Sequence, residues 1–168
     1  GAINVDRSYK CLNTYNMRDS NTAKLNETLG GVMLNISTNL TYLGHKVIFN
    51  SFIGSDRNAE FIISKLSEIG LVTSKIIKIP NKKTGSYTVI LDKEGKVIIG
   101  ASEMSIMDYI TPLMIKKNIK DIKADIWILD CNFSPKTLTS IIPYIKYKTL
   151  IATGVSKSKT IRLIPILK

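Results

Sequence analysis

The sequence predicts an α/β fold with a mainly parallel sheet and a small separate β layer inserted in it. Three observations carry this. Short apolar runs bounded by turn residues alternate with stretches of 3.6-residue periodicity. The run "GSYTVILDKEGKVIIGAS" reads as a β-hairpin about the Asp92 to Gly95 turn. Segment 7–28 is polar, Asn-rich and without helical spacing, so it reads as extended or looped.

Each element has its own signal. "GAINVD" reads as the polar end of a strand, with Asp6 as its last residue. Val32, Met33, Ile36, Leu40 and Leu43 recur at three- and four-residue spacing and predict a helix stopped by Gly44. "KVIFNSFIG" follows as a buried strand. Asp56 is an N-cap for a helix carrying Ala59, Ile62, Ile63, Leu66 and Ile69 up to Gly70. "SKIIKIP" is a strand, and after the hairpin Thr111 and Pro112 open a further helix. "DIWILD" and "TLIAT" are strands, "SPKTLTSIIPYIKY" is a helix kinked at Pro143, and "KTIRLIPILK" begins another helix.

Composition narrows the function. A chain of 168 residues, 44% hydrophobic and 22% charged, suits one globular domain. No apolar run reaches the roughly 20 residues that span a bilayer, and the first residues lack the layout of a signal peptide, so the expectation is a cytoplasmic protein without membrane contact. Cys11 and Cys131 stand far apart with no Cys/His grouping, which suggests neither a disulfide framework nor a metal site, and the single His45 reads as a solvated turn residue. The net charge of +11 invites a nucleic-acid reading, but its lysines are scattered among Ile and Asn with few aromatics between them, so no nucleic-acid partner is expected.

The stretch "LGGVMLNISTNLTYLG" carries the chemistry. Gly30 and Gly31 precede a helix whose unpaired N–H groups could meet a ligand, and Asn35 on its first turn offers a donor and an acceptor, which suit a polyol better than a phosphate. Alone, the two glycines read sooner as a turn capping an ordinary core helix. What favours the ligand is the company they keep. Asp6 and Asn132, the latter just past "DIWILD", both belong at the carboxyl ends of strands, where open α/β sheets bind their ligands.

The ordered set "GAINVD", "GGVMLNISTNLTYLG", "FIGSD", "TGSYTVILDKEGKVIIGAS" and "WILDCN" resembles the ribokinase-like carbohydrate kinase family of the phosphofructokinase B type, and within it the pseudouridine kinase subgroup. The resemblance covers nearly the whole chain. It implies a three-layer α/β sandwich with a small β lid, formed here by about 7–28 and 84–103, and only the N-terminal portion of such an enzyme. It implies ATP-dependent phosphorylation of a ribosyl sugar or nucleoside, with ATP and Mg2+ as cofactors. A small β layer with one polar and one apolar face, as "SYTVIL" and "KVIIGA" suggest, needs a covering surface, so a homodimer through the lid is expected. Asp6, Gly30, Gly31, Asn35 and Asn132 would bind the substrate; for Ser86 and Tyr87, on the lid, substrate contact and ordinary strand packing are equally open. No catalytic or metal residue falls in the chain, because the family's catalytic aspartate lies in a Gly-rich "GAGD" segment expected beyond Lys168. The alternative is a non-catalytic remnant that binds a ligand or a partner. The chain departs from the subgroup at Met33, Leu34, Ala59 and Glu103.

Overall fold

Successive residues of a β-strand point to opposite faces, and in the computed structural model, which describes residues 1–167, that alternation divides the core in two. Phe52 and Ile53 are neighbours in the strand Ser51–Ile53. Phe52 packs with Ile106, Ile115, Leu129 and Leu138 and meets Phe133 edge-on at 6.2 Å between ring centroids. Ile53 packs with Val5, Met33, Leu34, Ile62 and Leu66 on the other side. Helices thus cover both faces of the strands, giving three layers.

The strands are β1 (Asn4–Cys11), β2 (Ala23–Gly30), β3 (Ser51–Ile53), β4 (Ile76–Lys78), β5 (Ser86–Leu91), β6 (Val97–Glu103), β7 (Ile126–Asp130) and β8 (Thr149–Thr153). The helices are α1 (Val32–Tyr42), α2 (Arg57–Ile69), α3 (Pro112–Ile119), α4 (Pro135–Thr139), α5 (Ile142–Ile145) and α6 (Lys157–Thr160), with 3-10 turns at Ser105–Tyr109 and Ile161–Ile166. One four-stranded sheet runs β2-β1-β5-β6, with β1 parallel to β5 and antiparallel to β2. The β3-β4 and β7-β8 pairs are parallel and form two further sheets.

Several expectations need correction. The parallel pairs β1-β5, β3-β4 and β7-β8 belong to three separate sheets rather than one continuous sheet. Residues 46–50 and 126–129 line a largely apolar cavity of about 570 Å³, to which Met33, Ile141 and Ile151 also contribute. With no neighbour on that side, the expected strand "KVIFNSFIG" is reduced to Ser51–Ile53 plus one bridge from Ile48 to Val72. The side-chain nitrogen of Asn50, at the cavity wall, is buried without a hydrogen-bond partner. In α1 the buried face is Met33, Leu34 and Ser37, while Leu43 falls beyond the last helical residue and is exposed. The helix expected over 134–147 is two short ones, because Pro143 lies in the first turn of α5, where its missing N–H costs nothing. The last expected helix is α6 followed by a 3-10 turn holding Pro165, and its final residue, Lys168, lies outside the described residues.

The segments at 7–28 and 84–103 meet as the four-stranded sheet because β1 does not stop at Asp6. It continues to Cys11 and pairs with β2 over eight residues. A compact knot fixes this sheet on the layers below. Asp56 caps α2 by accepting from the Ala59 N–H at 3.0 Å, and it also accepts from the Thr84 hydroxyl at 2.6 Å and the Thr84 N–H at 2.8 Å. The Thr84 oxygen accepts in turn from the Gly54 N–H at 2.9 Å. The end of β3, the start of α2 and the approach to β5 are thereby joined through one carboxylate. Burial pushes that carboxyl up, but the Thr84 and Ala59 hydrogen bonds outweigh it and hold it below its ordinary value.

Thr84→Val keeps the shape but leaves the buried Gly54 N–H unpaired, and should cost about 1–3 kcal/mol in urea denaturation at neutral pH. Because the folded-state value of Asp56 is depressed, its contribution is present above the ordinary 3.8 and disappears as pH falls through the lower folded value. The acid limb of stability should therefore be shallower in Thr84→Val than in the natural chain. Equal stability and equal acid limbs would remove the knot from the account of the fold.

Candidate functional site

Alternation along β1 sets Asn4, Asp6 and Ser8 on one face and Val5 and Arg7 on the other. The first face looks toward Gly30 and Thr28 of β2 and Tyr87 of β5, which pair with Asn4 and Asp6 in register. Asp6 is thus the third residue of β1, placed where the strand leaves the core, rather than its last. Its carboxylate accepts from the side-chain amide of the buried Asn4. Half-burial raises the Asp6 carboxyl above its ordinary value, and the Asn4 hydrogen bond only partly offsets this.

The geometry corrects what the two glycines do. A β-carbon on Gly30 would collide with the Asp6 carboxylate, so this glycine makes room for Asp6 rather than directly for a ligand. Gly31 has φ +114°, and a β-carbon there would lie 2.6 Å from the Ala2 carbonyl oxygen. The chain itself therefore requires that glycine. Gly31 caps α1 without a side-chain acceptor, which leaves the first turn without a side-chain cap. Asn35 lies exposed on that turn, and its side-chain amide has no hydrogen-bond partner among the described residues.

Asn132 is differently placed. It is buried and already engaged: its side-chain nitrogen donates to Asp130 at 2.9 Å, and its side-chain oxygen accepts from the Lys159 ammonium at 3.0 Å. Arg162 donates to its carbonyl at 3.1 Å. Asp130 is fully buried and also accepts from the Asn132 N–H at 3.1 Å and the Ala2 N–H at 3.0 Å. Ala2 is the residue whose carbonyl abuts Gly31, so the Asp130–Asn132 unit joins the glycine turn through the two ends of one peptide segment.

Ser86 and Tyr87, being consecutive in β5, face opposite ways. Tyr87 shares the Asp6 face, whereas Ser86 pairs with Val5 on the other, so the two cannot both serve a ligand beside Asp6. Asp130, Lys159 and Thr84 escaped the sequence reading. An acidic residue closing the apolar run "IWILD" was the available signal for Asp130, since a buried carboxylate must have partners. Among the described residues no group of three His, Cys, Asp or Glu side chains is arranged to hold a metal. What the site offers is a half-buried acceptor at Asp6, an exposed amide at Asn35 and uncapped N–H groups on α1, a set suited to hydroxyls.

Two substitutions separate structure from binding here. Gly31→Ala should destabilise by about 1–3 kcal/mol, read by chemical denaturation, because of its backbone angle and the Ala2 contact. Asp6→Asn should not lower the melting temperature at pH 7. A raised folded-state value means that the ionised carboxylate is held at a cost above 3.8, a cost the amide does not carry. A clear fall in melting temperature for Asp6→Asn would make the carboxylate a structural group.

Comparison with known proteins bears on the family and the fold. The family model of the pfkB family carbohydrate kinases matches residues 1–139. The chain is 29% identical over 164 residues to the pseudouridine kinase of Escherichia coli, covering 97% of this chain and 52% of that protein. It superposes on a carbohydrate kinase from Agrobacterium tumefaciens with a TM-score of 0.85 at 25% identity, covering 96% of this chain and 54% of the other. A ribokinase from Cryptococcus neoformans, solved in complex with ADP, shares the fold with a TM-score of 0.65 at 15% identity, over 90% of this chain and 47% of its own. The chain spans about half the length of these relatives. Its layers are those of the ribokinase-like α/β fold, and the chain belongs to the pfkB family of carbohydrate kinases.

Proposed function

We propose that the complete protein transfers a phosphoryl group from ATP to a hydroxyl of a ribosyl sugar or nucleoside, with pseudouridine as the preferred substrate, and that residues 1–168 supply its sugar-binding and lid half. The observation that carries this reading is the Asp6 carboxylate, half-buried at the foot of the four-stranded sheet, with Asn4 donating to it and Gly30 clearing its space. A costly, partly desolvated carboxylate beside an open face is a strong acceptor for sugar hydroxyls, because hydrogen bonds to charged groups are the stronger kind. Asn35 and the first turn of α1 would take further hydroxyls. Asn132 would reach the sugar only by releasing Lys159, so its role is to hold the floor of the site; Ser86 is left out for its orientation.

The four-stranded sheet acts in this reading as a lid, excluding water before transfer. Phosphoryl transfer relies on positioning and electrostatic stabilisation, and the base is assigned to the part of the relatives' length that this chain does not span. ATP use follows from the kinase family. Mg2+ would arrive on the nucleotide phosphates, for Asp130 is saturated by three donors and does not fit as its ligand. On the lid's other face Leu25, Tyr9, Ile90 and Ile99 stand in register across all four strands, each at least a third exposed. Such a row favours cover by a second copy, giving a homodimer in the cytoplasm.

The test is expression of the complete reading frame with ATP, Mg2+ and pseudouridine, ribose or adenosine. Pseudouridine phosphate should form, and Asp6→Asn should weaken binding of the sugar by about 1.5–3 kcal/mol in calorimetry. Residues 1–168 alone should give no product. Phosphorylation by the isolated chain, or unchanged affinity in Asp6→Asn, would overturn these roles. Light scattering showing only monomer at working concentration would remove the dimer.

A further inference from the structure

The β5-β6 hairpin of the lid joins the layers through two short stems. The entering stem, residues 80–84, lies along the turn that follows β3. Asn81 takes the left-handed conformation at φ +57°, which asparagine tolerates, and its N–H donates to the Ser55 hydroxyl at 3.1 Å. The Lys82 carbonyl accepts from the Ser55 N–H at 3.1 Å and lies so close to Gly54 that a β-carbon there would collide with it. The returning stem runs from Glu103 into the 3-10 turn Ser105–Tyr109, where Ile106 and Met107 are buried in the core and Tyr109 is half exposed. The two stems meet through a side-chain contact: the Lys82 ammonium lies over the Tyr109 ring, 3.5 Å from its centroid. That ammonium makes no hydrogen bond or ion pair among the described residues, whose bridged lysines are Lys65, Lys93 and Lys148. Lys82 is half-buried, and a cation over an aromatic face is held more strongly as it is desolvated.

We propose that Lys82 and Tyr109 form a clasp closing the stem of the lid hairpin, and that they are positioning residues through which lid closure couples ATP use to phosphorylation of the substrate. This rests on the lid and kinase roles given above. Asp56 and Thr84 hold only the entering stem, by tying it to α2. The clasp carries that hold across to the returning stem, so that β5 and β6 leave the core as one unit. Lys82 and Tyr109 both lie outside the four strands of the lid, so they act on the site by way of the lid. A lid that opens more readily admits water to the transferring group. Water then takes the γ-phosphoryl in place of the sugar hydroxyl, forming ADP and inorganic phosphate, with the proton passing to solvent.

The test uses the complete protein, its variants each checked for folding by circular dichroism. In Tyr109→Leu and in Lys82→Met the amides of β5 and β6 should exchange with deuterium about three- to tenfold faster, whereas Tyr109→Phe, which keeps the ring, should exchange like the natural protein. The double variant should add nothing to either single one, because both remove the same contact. Given ATP, Mg2+ and pseudouridine, the natural protein should release ADP and nucleoside phosphate in equal amounts. The ratio of ADP to nucleoside phosphate should rise in Tyr109→Leu and return to equality in Tyr109→Phe, a readout that a merely structural contact would not move. Unchanged lid exchange in both Tyr109→Leu and Lys82→Met would overturn the clasp, as would a change in Tyr109→Phe as large as in Tyr109→Leu. Faster exchange with an unchanged ratio would overturn its part in coupling. Absence of any phosphorylated product would remove the kinase reading, while the exchange rates would still decide the clasp.

Discussion

The position of the four-stranded sheet depends on one carboxylate. Asp56 caps α2 and at the same time holds Thr84, which in turn holds Gly54, so α2, the end of β3 and the approach to β5 are fixed at a single point. Without it the sheet would be joined to the layers chiefly through β1 and the Arg7 guanidinium, which donates to the Asn58 side-chain oxygen of α2 at 2.7 Å. A sheet of this kind needs a hydrophobic face that is packed, or a helix against it, to be stable. The knot lets a sheet with one face open to ligand and an apolar row on the other remain registered on the core.

That anchoring gives Asp6 its character. Residues 4 and 5 of β1 are buried while residues 6–10 emerge, and Asp6 stands at the transition, dry enough for its carboxyl to be raised and open enough to be reached. A group held at a cost to the fold is a common mark of a binding site, because a ligand can supply the missing partners. Asp130 shows the contrast. It is more deeply buried but satisfied by three donors from Ala2 and Asn132, and it serves the scaffold by clamping the turn to which Gly31 belongs. Two acids in one neighbourhood thus serve binding and structure according to whether their hydrogen bonds are complete.

Much of this was legible in the sequence, where local rules suffice. The caps at Asp56, Gly70 and Thr111 and the hairpin turn at Asp92 to Gly95 follow from side-chain and backbone chemistry within a few residues. The alternation of strands and helices, read with the ordered motifs, indicated the fold. Long-range facts were not legible. The continuation of β1 past Asp6 depends on pairing with β2 and β5, which no local period reveals in a polar strand. The glycines were read as making room for a ligand, whereas the groups that fill their space, Asp6 and Ala2, are set by register and tertiary packing. The engagement of Asn132 by Lys159, 27 residues away in sequence, is likewise a tertiary matter.

The most direct measurement is a crystal structure of the complete protein with a bound riboside. Two ribose hydroxyls should lie about 2.6–3.0 Å from the Asp6 carboxylate, on the sheet face that carries Tyr87. A riboside seated elsewhere, with Asp6 still bonded only to Asn4, would contradict the assignment of the sugar site.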